Sequence, residues 1–114
     1  MYQQGLGKEV DYSQALLCYK KAAEKKQLNA QVNLGVMYQY GQGVEKNYQE
    51  AFYWYINAAE QGSASAQNNL GTLYEEGQGV EVNYQQAIYW YRQASLQDLE
   101  VAKNNLERLL SNFN

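Results

Sequence analysis

The feature that most constrains this chain is an internal repeat. Displacing the sequence by 36 residues lays AQVNLGVMYQYGQGVEKNYQEAFYWYINAAEQ, from Ala30, on AQNNLGTLYEEGQGVEVNYQQAIYWYRQASLQ, from Ala66. Between residues 28–63 and 64–99, 20 of 36 positions are identical without a gap. Upstream, Tyr2, Gly5, Gly7, Tyr12, Ala15, Tyr19 and Ala22 keep the register; downstream, Ala102, Asn105 and Leu106 do. A fixed period of this length marks stacked supersecondary units, each covering the apolar face of its neighbour.

Each unit reads as two antiparallel helices. In the first, Ala66, Leu70, Leu73 and Tyr74 recur at helical spacing as one apolar stripe. A mid-helix glycine costs about 1 kcal/mol against alanine, so its recurrence at Gly35 and Gly71 points to close helix approach. Gly77 suits a left-handed C-cap and Gly79 relaxes the turn. Asp11-x-x-Gln14, Asn47-x-x-Glu50 and Asn83-x-x-Gln86 then resemble capping boxes opening the second helix. That helix carries Ala87, Trp90, Tyr91 and Ala94, small residues and large rings that interdigitate between helices. Gly62 ends it in the central copy, where the next copy has Asp98.

The expected organisation is one segment over 1–114, with a partial repeat at 1–27, full repeats at 28–63 and 64–99, and a capping helix at 99–114. MYQQG at the start parallels MYQYG at 37–41, so the register opens near the end of a first helix. We expect a truncated N-terminus, with an array that continues upstream or is completed by a partner chain. At the other end, Asp98 is placed to cap a last helix whose stripe is Leu106, Leu109, Leu110 and Phe113. Glu107 and Leu110 replace the repeat's glycine and tyrosine there, as suits the end of a solenoid and a natural C-terminus.

The pattern A-x-x-x-L-G-x-x-Y-x-x-G-x-G-V-x-x-[DN]-Y-x-x-A-x-x-W-Y-x-x-A resembles the Sel-1-like repeat, a relative of the tetratricopeptide repeat. Ala30, Leu34-Gly35, Tyr38, Gly41-Gln42-Gly43-Val44, Tyr48, Ala51, Trp54-Tyr55 and Ala58 match it. Their counterparts 36 residues on match it again, and Cys18 and Lys8 are the first copy's departures. The resemblance implies an all-α fold: an α/α right-handed superhelical solenoid of antiparallel helix pairs. It also implies adaptor roles, in which the first helix of each unit lines a concave face.

Charge and residue types narrow the function. A net charge of −3 and a pI near 4.9 offer no broad basic surface to nucleic acid or anionic lipid. No apolar run approaches the roughly 20 residues that span a bilayer, and MYQQGLGKEV lacks the apolar stretch of a secretory signal. The compartment, cytoplasmic or exported, stays open. Gly-Gln-Gly-Val lacks the Lys-Ser/Thr of a phosphate loop, and there is no histidine to act as base or ligand. Cys18 is expected in a core slot, and Glu75, Glu76 and Glu81 at a solvated helix end. No catalytic, cofactor or metal site is expected.

A binding surface remains. On the first helices, positions spaced by four opposite the stripe are Val32, Val36 and Tyr40, then Asn68, Thr72 and Glu76, then Asn104, Arg108 and Asn112. Asn33, Asn69 and Asn105 flank this grid at the repeat spacing. An asparagine ladder can grip a peptide backbone, since each amide both donates and accepts; equally, the row can bond adjacent helices to each other. The expected partner is a protein or peptide, with a second copy a further candidate through the uncovered N-terminal helix. A glycan- or cell-envelope-binding scaffold is one alternative, and it requires several of Tyr40, Tyr53 and Tyr89 to face solvent; an inert spacer or cap of a longer repeat array is the other. Hydrolysis, suggested by the β-lactam binding linked to cysteine-rich relatives, is disfavoured because repeated cysteine pairs are absent.

Overall fold

The computed structural model describes residues 12–113. The expected cap at Asp11 and the rest of the partial repeat's opening lie outside the described residues. Six helices run in order among them: α1 (Tyr12–Glu24), α2 (Leu28–Tyr40), α3 (Tyr48–Glu60), α4 (Ala64–Glu76), α5 (Tyr84–Ser95) and α6 (Glu100–Ser111). Each packs on its neighbours in sequence, giving an all-helical solenoid whose extents are 50 × 29 × 26 Å.

The helix ends follow from the polar signals. The Asn47 side chain accepts from Glu50 N–H at 3.0 Å and that of Asn83 from Gln86 N–H at 3.1 Å. Ser63 does the same for Ala66. These bonds satisfy amides that a helix start leaves orphaned. At the other ends Gly77, with φ 71°, turns its N–H back to the Leu73 carbonyl, and the loop closes as Asn83 N–H donates to Tyr74 O.

The ring-filled seams explain the mid-helix glycines. A Cβ on Gly71 would lie 2.7 Å from the Tyr91 ring, and one on Gly35 would strike Tyr55. Tyr55 and Tyr91 are fully buried in the space those glycines leave; burial on this scale stabilises by about 1.5–3 kcal/mol per side chain. Gly79 does more than relax its turn: a Cβ there would lie 2.6 Å from the Tyr48 carbonyl, so the loop sits backbone to backbone on the start of α3. The stripe residues Ala66, Leu70 and Leu73 are buried, as are Ala87, Trp90, Tyr91 and Ala94 on α5.

The expectations for Cys18 and Asp98 fail, each for a packing reason. Cys18 is exposed rather than in the core. Its repeat counterpart Trp54 packs on Ala30 and Leu34 of its own unit's first helix and on Ala23 of the preceding unit; no described residue precedes α1 to give Cys18 the same cover. Asp98 does not cap α6, whose N-cap is Leu99 with no side-chain bond. Asp98 occupies the slot of Gly62 and adopts φ 66°, one residue too early, with its carboxylate on Lys103 instead. The α6 stripe is also narrower than expected. Leu109 is buried, while Leu110 and Phe113 are exposed, Phe113 lying edge-on to Tyr84.

Candidate functional site

The first helices α2, α4 and α6 present the predicted grid, and the structure divides it into bonded and open positions. Asn68 is buried, and its side-chain oxygen accepts from the Asn105 amide at 2.9 Å. Beside it, Arg108 clamps Glu75 with both guanidinium arms, Nη1 to Oε2 at 2.6 Å and Nη2 to Oε1 at 2.9 Å. Tyr91 donates to the same carboxylate at 2.7 Å, and its hydroxyl lies 3.2 Å from that of Thr72. Glu75 is therefore an ion-paired residue joining α4, α5 and α6 rather than part of a solvated helix end. The bonds from Arg108 hold its carboxyl below the usual carboxylate range, against the opposing effect of burial.

The preceding unit repeats this geometry without the charges. Tyr55 donates to Gln39 at 2.7 Å, where Tyr91 meets Glu75. Burial raises the Tyr55 phenol, the nearby Tyr40 adds to the rise, and a bond with Asn69 opposes it. Val32 and Val36 are half-buried against the core and do not stand free on the opposite face. Asn33 and Asn69 are half-buried as well. Tyr40, Glu76, Asn104 and Asn112 are exposed, Tyr40 at 63%.

A second polar row, absent from the sequence-based expectation, runs through the repeat junctions. Gln31 donates to the Ala23 carbonyl and accepts from Gln61; Gln67 donates to the Ala59 carbonyl and accepts from Gln97. Both acceptors in this row, Gln31 and Gln67, are buried. Their identity at the 36-residue spacing, among positions free to vary if solvated, was the available signal.

Among the described residues no group of three or more acidic, histidine or cysteine side chains could hold a metal ion. No described helix is long and apolar enough to cross a membrane. Exposed aromatic rings instead mark the surface, with Tyr53 and Tyr89 at 54% and 50% beside Tyr40. The glycan alternative's condition on these three tyrosines is met.

Stacked helix pairs of this pattern define a class, the α/α repeat scaffolds. The family model described as Sel1 repeat matches residues 1–26, 28–63 and 64–99, and the chain belongs to that family. Sel1 repeats commonly serve as protein-interaction scaffolds and are generally non-catalytic. No curated protein matches the chain. Among solved structures, a Sel1 repeat protein from Oxalobacter formigenes is 42% identical, with TM-score 0.82 over 86% of this chain and 40% of its own. The antigen c5321 of uropathogenic Escherichia coli, which displays an SLR fold, is 44% identical with TM-score 0.87, over 90% of this chain and 22% of its own. Helicobacter pylori cysteine rich protein B is 26% identical with TM-score 0.79, over 85% and 73%. The chain thus spans less than half the length of the first two.

Proposed function

We propose that this chain is a non-catalytic scaffold that holds a protein or peptide across the faces of α2, α4 and α6. The observation that carries the reading is the cross-repeat bonding of Asn68 with Asn105 and Glu75 with Arg108. Side chains 37 and 33 residues apart touch, so α4 and α6, first helices of neighbouring units, form one continuous surface. Such a surface offers an extended segment a pre-ordered platform, which lowers the entropy cost of binding. Exposed Tyr40 and half-buried Val36 give it an apolar end, and Glu76 and Asn104 a polar end.

The same geometry dictates which variants test it. Arg108→Glu is unsuitable, because it would set a carboxylate against Glu75 and undock α6. Tyr40→Ala with Asn33→Ala alters the open end and leaves the clamp intact. We expect proteins captured from a lysate of the encoding organism to be lost with this double variant while helicity and melting temperature hold. Capture that survives the double variant overturns the assignment to this face.

A further inference from the structure

Two surface cavities recur at the period of the sequence. The first, about 220 Å³, is bounded by Tyr53 and Trp54 of α3, by Asn57, and by Gln31 and Glu24. The second, about 380 Å³, is bounded by Tyr89 and Trp90 of α5, by Gln93, and by Gln67 and Glu60. Every lining position of one lies 36 residues from a lining position of the other. Lys26 in the first becomes Gly62 in the second, and the lost side chain accompanies the larger volume. Both cavities sit where the end of one second helix meets the middle of the next. They are separate from the exposed grid positions Tyr40, Glu76 and Asn104.

The walls are built alike. In each, a half-exposed tyrosine stands edge-on to the neighbouring tryptophan, ring centroids 4.9 Å apart. In each, the buried glutamine is fixed by bonds at both ends of its amide, to a helix-end carbonyl and to a second glutamine. And in each, the indole Nε1–H is shut away from solvent without an acceptor. A buried donor left unbonded costs about 1–3 kcal/mol, and here the same orphan recurs in both repeats, with Trp90 only 9% exposed.

We propose that these cavities are paired subsites for one neutral oligosaccharide chain. An indole donor needs an acceptor, which a cationic ligand does not supply. The exposed Glu24 and Glu60 carboxylates can accept from a ligand's donors and disfavour an anion. A sugar hydroxyl is both, and the apolar face of a pyranose stacks on a half-exposed phenol ring. Recurrence at the repeat spacing suits a polymer of like units, with affinity gained by engaging both subsites. The indole N–H is shielded in this conformation, so a hydroxyl bonds it only when the wall around it opens locally.

The chain's only two tryptophans are the ones in these cavities, so intrinsic tryptophan fluorescence reports them alone. The experiment titrates cellotetraose, chitotetraose and maltotetraose, each to about 10 mM, and a polyproline decamer alongside, with Tyr53→Ala/Tyr89→Ala as the variant. We expect a saturable change with at least one tetrasaccharide, weakened about tenfold or more in the variant, as loss of a central aromatic contact implies. Tyr40→Ala/Asn33→Ala is expected to bind as the parent does, and far-UV circular dichroism checks that both variants fold. No response to any of the three sugars overturns the proposal, as does binding indifferent to the tyrosines. A response to polyproline alone overturns it in favour of a peptide groove.

Discussion

Tyr55 and Tyr91 show how a single position gathers several constraints. Each fills the space left by a glycine on the facing helix, and each carries its hydroxyl to a hydrogen-bond acceptor, Gln39 or Glu75. Burial raises both phenols above their ordinary value, and for Tyr91 the adjacent Glu75 adds to the rise. The folded state therefore keeps protons that the unfolded chain gives up above a pH of about 10. Stability is complete below that pH and falls as pH rises further, because the unfolded state binds fewer protons. Denaturant midpoints measured from pH 8 to about 11 should decline above 10, and Tyr91→Phe should flatten the decline. Tyrosinate absorbance should reveal ionisation of these two rings only as helicity is lost; free titration in the native state would contradict the assignment. The glycine–tyrosine pairing was legible as repeated small and large residues. The Gln-for-Glu exchange beneath the hydroxyl became meaningful only once Arg108 was seen to clamp Glu75.

At the level of helices, caps and corners decide where each element begins. Asn47, Ser63 and Asn83 supply side-chain caps, whereas α2 and α6 start without one. The corner before α4 uses Gly62 at φ 101°, and the equivalent corners use Lys26 and Asp98 at φ 65° and 66°. A non-glycine residue held there costs roughly 1 kcal/mol, less for aspartate than for most. Asp98 recovers little through Lys103, since its side chain is 89% exposed. Asp98→Gly should therefore raise stability by about 0.5 kcal/mol in urea denaturation. A loss of that size would mean that the Lys103 pair matters more than the backbone strain. The short polar residue at 98 read naturally as a cap from sequence; the left-handed corner demanded by the register took it first.

For the whole molecule, the consequence of a one-dimensional stack is uneven protection. Helices α3 and α4 lie in the middle of the stack, while α1 and α6 are its end helices among the described residues, α6 packing on α5 and bonding to α4. In such arrays stability is a sum of unit and nearest-neighbour terms, and ends open more readily than the middle. Hydrogen exchange should run fastest in α1 and α6 and slowest in α3 and α4; equal protection throughout would indicate a single cooperative unit. The 36-residue period, the helix pairs, the Gly–Tyr seams and the membership of the family were determined by sequence alone, because they depend on local periodicity repeated at a fixed interval. The fate of individual polar side chains was not. Asn68 faces Asn105, Glu75 faces Arg108 and Gln31 faces Gln61 only after helices from different units meet, at distances along the chain that carry no local pattern. The exposure of Cys18 was decided the same way, because the slot is covered by helices earlier in the chain and not by its own helix.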